Sequence, residues 1–125
     1  MLRACYRVLK PGGVFSFVAI ALADGLSTDD KIRAHEAGPQ YVSAGAGYPA
    51  LLRAAGFEGV DLIDATDEYR QTLSAWIREW DAESSDLERL LGADEFAERQ
   101  ARRRLAMEAI RDGLLRRSIV SAVRP

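Results

Sequence analysis

The stretch RVLKPGGVFSFVAI, Arg7 to Ile20, decides how this chain folds. It joins the end of a helix to a strand through a Pro-Gly-Gly corner. Pro11 biases the residue before it away from helical angles, so the helix has to stop there, and the two glycines permit a sharp turn. The run from Val14 to Ile20 is almost continuously apolar and rich in β-formers. This pattern predicts a strand covered on both faces, as in a parallel α/β sheet.

The segments that follow continue the alternation of helix and strand. Residues 27–38 predict a short helix, and residues 49–56 predict another that is closed by a glycine. Residues 57–65 predict a strand, residues 66–112 predict helices, and residues 114–123 predict a last strand. We therefore expect an α/β fold with about three strands and a helical segment between the last two.

Polar residues are predicted to cap three of the helices. Ser27 or Thr28 precedes the first of them, Thr66 precedes the second, and Ser85 or Asp86 precedes the third. Each side chain can accept a hydrogen bond from a free backbone N–H in the first helical turn. These residues therefore mark the expected helix starts.

The composition is that of a soluble globular protein of one domain. The 125 residues are 48% hydrophobic and 29% charged, and the net charge of -2 offers no overall attraction to nucleic acid or anionic membrane. The clustered arginines at 102–104 and 116–117 alternate with acidic residues, which is typical of a solvated helix face. The apolar run 14–23 is too short to span a bilayer, no signal peptide is visible, and Cys5 is the only cysteine, so we expect a cytoplasmic protein without disulfides.

Three segments together resemble the C-terminal half of a class I S-adenosylmethionine-dependent methyltransferase. In that family a helix and corner similar to RVLKPGG (7–13) lead into the fifth strand of a seven-stranded sheet. The segment LLRAAGF (51–57) resembles the helix and turn before the sixth strand, and GLLRRSIVSAVRP (113–125) resembles the last, antiparallel strand. The resemblance covers residues 1–125. It implies a partial Rossmann-like sheet with 66–112 as a helical insertion, most like the small-molecule methyltransferases of the family.

The same resemblance implies where the cofactor is held in the family. S-adenosylmethionine is bound by a Gly-rich loop after the first strand, an acidic residue after the second, and residues after the third and fourth. These segments would lie before Met1. We therefore expect no cofactor-binding residues in this chain, and a fragment or truncated methyltransferase that is inactive alone.

An interaction module is the alternative function. Without its inner neighbour, the strand 14–20 would present an unpaired edge that invites self-association or pairing with another chain. A non-catalytic, methyltransferase-like domain could work in this way.

The segment GAGYPA, Gly45 to Ala50, fits the letters of a dinucleotide-binding fingerprint, and Asp64 follows about 20 residues later. Only Tyr41 and Val42 precede it as strand-like residues. Pro49 removes a backbone N–H from the helix start that should face a phosphate. A loop entering a helix is the preferred interpretation.

Three polar residues are candidates for the edge of a substrate pocket. In the resembled fold the segment after the fifth strand borders the substrate cavity, which points to Asp24, His35 and Tyr41; polar loop positions are the alternative. His35 is the only histidine, so no metal site and no Cys–His pair is expected. An independent acid/base site built on Asp24 or Asp64 lacks convergent groups, and no catalytic residue is identified.

An aromatic stripe marks the helix that begins near residue 66. Tyr69, Trp76 and Trp80 recur at helical spacing, which is typical of a packed core. Aromatic faces also attract cationic groups, so a lining role in a substrate cavity is the second interpretation.

Overall fold

The computed structural model describes residues 1–39 and 47–125. In chain order its elements are α1 (Leu2–Val8), β1 (Val14–Leu22), α2 (Thr28–Ala37), α3 (Tyr48–Ala54), β2 (Glu58–Asp64), α4 (Thr66–Ala82), α5 (Ser84–Leu91), α6 (Ala93–Arg111) and β3 (Leu115–Val123).

The strand β3 lies in the middle of a three-stranded sheet, between β1 and β2. It runs antiparallel to both, so β1 and β2 run parallel to each other without touching. The helices α4, α5 and α6 fall between β2 and β3 in the chain. The expected three strands, antiparallel last strand and intervening helices are therefore confirmed, although the described partner of β1 is antiparallel rather than parallel.

One core covers the face of the sheet that carries α1 and α3. Leu52 and Val120 are fully buried there, and Phe57 is nearly so. The ring of Phe57 stacks on Phe15 at 5.6 Å and meets Tyr6 edge-on at 5.2 Å. Burial of each such side chain stabilises the fold by about 1.5–3 kcal/mol. This core fixes α1 and α3 to the sheet.

A second core covers only one end of the opposite face. Leu22 and Leu115 pack there against residues of α2, α4 and α6. Beyond them Val14, Val18 and Ile119 are 63%, 51% and 38% exposed. The prediction that β1 is covered on both faces is therefore wrong, because the described helices reach only the last residues of the strand.

The Pro-Gly-Gly corner is confirmed, and the C-terminal segment holds it in place. Gly12 has a φ of +77°, a conformation that favours glycine, and its N–H donates to the carbonyl of Arg124 at 2.7 Å. The N–H of Arg124 donates to the carbonyl of Gly13 at 2.9 Å. A Cβ atom on Gly13 would lie 2.8 Å from the carbonyl oxygen of Lys10, so this position has no room for a side chain.

The predicted caps are right at one helix and wrong at two. Ser27 Oγ accepts a hydrogen bond from the N–H of Asp30 at 3.1 Å, as expected. The helix α4 instead begins at Thr66, and the Asp64 carboxylate receives the N–H of Thr66 at 3.0 Å. The helix α5 begins at Ser84, so Ser85 and Asp86 lie inside it and do not cap it. Glu83 alone separates α5 from the end of α4 at Ala82.

Candidate functional site

A cleft of about 380 Å³ opens where β1 and β2 end; we call it the strand-end cleft. Its floor is the sheet face around Ala19, Ala21 and Ser118. The register explains the shape, since Ser118 of β3 pairs with Ala19 on one side and with Asp64 on the other. Small side chains at neighbouring sheet positions leave space above the strands.

Charged and aromatic side chains stand around this floor. Asp24 follows the end of β1, Asp64 ends β2, and Arg116 of β3 pairs in register with Ala21. Tyr48, the first residue of α3, forms another wall, and its ring meets that of Phe17 edge-on at 5.0 Å. The cleft therefore offers both signs of charge beside an aromatic ring that is held by packing.

The surroundings of Asp64 lower the pKa of its carboxyl group. The hydroxyl of Thr66 donates to its Oδ1 at 2.5 Å, and this hydrogen bond is the main cause of a lowered pKa. The backbone N–H of Thr66 and the positive charge of Arg116 lower the pKa of Asp64 further. The same Thr66 hydroxyl accepts the N–H of Arg117 at 3.1 Å, so this rim of the cleft is tied to β3.

The predicted pocket residues do not all meet at this cleft. Asp24 lines it, whereas His35 is exposed on α2 and lines another cleft of about 370 Å³ together with Arg102. Tyr41 lies outside the described residues. Their role in binding substrate stays a prediction.

Two residues that line the cleft were not predicted as site residues from the sequence. Arg116 was assigned to a solvated arginine pair, and Tyr48 was not singled out. The strand register could have found Arg116, because antiparallel pairing of β3 with β1 places it opposite Ala21, near the end of β1. Tyr48 lies in the cleft at the start of α3, and the GAGYPA fingerprint that includes it was interpreted as a loop entering a helix.

The aromatic stripe of α4 is mainly packed within the helical insertion. Trp80 stacks on Phe96 of α6 at 5.9 Å, and the guanidinium carbon of Arg103 lies 3.7 Å from the centroid of a Trp80 ring. Tyr69 packs against the core that contains Leu73. These contacts favour a packed role for Tyr69 and Trp80, whereas Trp76 is 52% exposed and is not part of a packed core.

Metal-binding clusters and membrane-spanning helices are both absent from the described residues. Within 1–39 and 47–125, no group of three or more histidine, cysteine, aspartate or glutamate side chains could hold a metal ion. In the same ranges no helix is both long and apolar enough to cross a bilayer.

The described loops do not fit S-adenosylmethionine. Between β1 and α2 lie residues 23–27, and only Ala65 separates β2 from α4; Gly25 is the one glycine in these connections. A cofactor cradle of this fold type needs a Gly-rich turn between strand and helix, so that the backbone can approach the ligand. In the GAGYPA segment, the described part opens α3, a helix of seven residues with Pro49 in its first turn.

The strand order and the helical insertion between β2 and β3 define part of the fold of S-adenosylmethionine-dependent methyltransferases. Phosphoethanolamine N-methyltransferase 2 from Haemonchus contortus, in complex with phosphomonomethylethanolamine and S-adenosylhomocysteine, matches with a TM-score of 0.85 at 17% identity. A proposed sarcosine dimethylglycine methyltransferase from Galdieria sulphuraria matches with a TM-score of 0.84 at 19% identity. The (4+2) cyclase SpnF matches with a TM-score of 0.63 at 22% identity.

These similarities extend over almost the whole chain but over only part of each neighbour. The matches cover 99%, 98% and 99% of the 125 residues, and 29%, 46% and 43% of the three neighbouring chains respectively. No protein-family model and no curated protein matches the sequence. At these identities the comparisons establish the fold.

Proposed function

We propose that residues 1–125 form the C-terminal half of an S-adenosylmethionine-dependent methyltransferase domain that acts on a small molecule, with 66–112 as its helical insertion. The observation that supports this most strongly is the position of β3 between β1 and β2, with α4–α6 preceding it. The high TM-scores to two methyltransferases over nearly the whole chain support the same assignment.

The isolated 125 residues are proposed not to bind S-adenosylmethionine and so to be inactive alone. The single glycine in the connections after β1 and β2 supports this, because it leaves no described turn suited to the cofactor. The neighbours are at least twice as long as the part that matches, which fits a fragment of a larger domain.

The small-molecule acceptor is proposed by analogy with two neighbours, a phosphoethanolamine N-methyltransferase and a proposed sarcosine dimethylglycine methyltransferase. The cyclase SpnF shares the fold with a different named activity, so the fold does not by itself determine the reaction. A cytoplasmic location is proposed from the composition and the single cysteine.

The gene sequence upstream of the Met1 codon tests the fragment proposal. We expect coding sequence there, in frame or after a frameshift, for a strand followed by a Gly-rich loop. An in-frame stop immediately upstream, with no such segment in any frame nearby, would contradict it.

A non-catalytic module that pairs with another chain is the second candidate function. The outer edge of β1 has no strand partner among the described residues, and Val14 and Val18 are largely exposed beside it. Such an edge can template pairing with a further strand. Sedimentation of the purified protein tests this candidate: a dimer or larger assembly supports it, and a monomer at all concentrations excludes self-pairing.

A further inference from the structure

We propose that the strand-end cleft binds a small amine that also carries an anionic group, such as a carboxylate or a phosphate. This inference rests on the proposed function, in which the amine would be the methyl acceptor. The cleft belongs to residues that the structure describes, so ligand binding there can be tested without the cofactor.

The two carboxylates of the cleft suit the ammonium group. Asp24 and Asp64 line the same cavity, and with Arg116 they give its charged lining a net charge of one minus. Asp64 carries its charge at neutral pH, and the hydrogen bond from Thr66 lowers its pKa further below the ordinary value. The ring of Tyr48 lines the same cavity, and an aromatic face attracts an ammonium or methylammonium group.

The single arginine of the cleft, Arg116, suits the anionic group. Arg116 has no carboxylate within 4.0 Å in residues 1–39 and 47–125, whereas seven ion pairs in these ranges engage other arginines. Its guanidinium fork is exposed and can receive a carboxylate or phosphate through two parallel N–H donors. A ligand with both charges can pair with the carboxylates and with Arg116 in the same cavity.

The floor limits the size of the ligand. Ala19, Ala21 and Ser118 present small side chains to a cavity of about 380 Å³, which is near the lower end of the range for small-molecule sites, about 300–1,000 Å³. A compact zwitterion fits such a space, and the Ser118 hydroxyl adds one donor and one acceptor.

The test titrates the 125-residue protein with two probes, N-methylglycine and phosphoethanolamine, and follows backbone amide shifts by NMR. We expect saturable shifts at the cleft with a dissociation constant of about 1 mM, the range of very small ligands. Tighter binding of N-methylglycine identifies a carboxylate ligand, and tighter binding of phosphoethanolamine a phosphate ligand. Ethylamine and acetate, which carry one charge each, should bind at least about tenfold more weakly.

Variants assign the binding to the cleft. Arg116→Gln and Asp24→Asn should each weaken the preferred probe by about tenfold or more. Arg111→Gln on α6 and Asp61→Asn, on the opposite face of β2, are the matched controls and should leave the affinity unchanged. Far-UV circular dichroism checks that each variant is folded, and Arg116→Lys replaces Arg116→Gln if the latter is not.

The inference is overturned if neither probe shifts the cleft resonances of the folded protein, or if the variants bind the probes as the parent does. A parallel titration with S-adenosylmethionine separates the two proposals. If the protein binds S-adenosylmethionine but neither probe, both the proposed inactivity and the cleft assignment are contradicted. If it binds neither the cofactor nor the probes, only the cleft assignment is contradicted and the proposed function is unaffected.

Discussion

The Cζ atom of Arg124 lies 4.7 Å from the centroid of the Tyr6 ring, and its Nη1 donates to the Tyr6 carbonyl at 2.9 Å. The same Nη1 lies 2.5 Å from the carbonyl of Leu9, at the C-terminal end of α1. The side chain of Arg124 thus caps the C-terminal end of α1, the first helix of the chain. It holds the Pro-Gly-Gly corner in register with β3.

Replacement of Arg124 should destabilise the whole fold. Arg124→Gln removes a cation from the end of a helix and from an aromatic face, and we expect the free energy of unfolding to fall by about 1–2 kcal/mol. Urea denaturation measures the change. Arg53→Gln, an exposed position on α3, is the control, and an equal effect of both substitutions would contradict the capping role.

The hydroxyl of Thr66 should make stability depend on pH in the acid range. The pKa of Asp64 is lowered from an ordinary value of 3.8, chiefly by this hydroxyl. A lowered pKa in the folded state stabilises the protein above the unfolded pKa, and that contribution is lost as pH falls through the folded pKa. Thr66→Val should therefore reduce the free energy of unfolding more at about pH 6 than at about pH 2.5.

The control for this pH effect is Thr72→Val, because the Thr72 hydroxyl donates to the backbone carbonyl of Glu68 at 2.9 Å and not to a carboxylate. Its cost should be the same at both pH values. If urea unfolding shows the same loss of stability for Thr66→Val at both pH values, the Thr66 hydroxyl does not lower the pKa of Asp64.

Much of the fold could be predicted from local signals, and much of the cleft could not. Pro11 and the glycines after it determined the first corner, and the glycine at 56 marked the end of α3, where Gly56 has a φ of +99° just beyond the cap at Ala55. Arg116 reaches its cleft through pairing with a strand almost 100 residues earlier in the chain. No local pattern encodes such a pairing, so Arg116 could not be predicted as a residue of the cleft.

The exposure of β1 also shows that local sequence does not determine which elements pack together. An apolar run predicts burial on both faces, but burial depends on which elements arrive to cover it. In the described residues α1 and α3 cover one face, and Val14 and Val18 remain exposed on the other. The apolar pattern therefore indicates a surface that suits a further partner better than solvent.

Gln100 should contribute more to the free energy of unfolding than an exposed helix residue does. It is only 2% exposed, and its Nε2 donates to Asp81 Oδ1 at 2.9 Å and to the Ile77 carbonyl at 3.2 Å, joining α6 to α4. Gln100→Ala should lower the free energy of unfolding by about 1–3 kcal/mol. Gln71→Ala on the exposed face of α4 should change it little, and similar costs would contradict the bridging role.

A charge on the free face of β1 should suppress self-association if the interaction module is correct. Val18→Lys places a lysine beside the outer edge of β1, which has no strand partner among the described residues, and a lysine there discourages edge-to-edge pairing. Analytical ultracentrifugation should then show a lower sedimentation coefficient than for the parent protein. Ile32→Lys on α2, where Ile32 is 53% exposed, is the control and should leave the assembly unchanged.

Calorimetric titration of the folded 125-residue protein with S-adenosylmethionine tests the central claim most directly. The connections after β1 and β2 offer no Gly-rich turn for the cofactor, so we expect no saturable heat at ligand concentrations up to about 1 mM. A saturable isotherm with micromolar affinity would contradict the claim that these residues lack the cofactor-binding half.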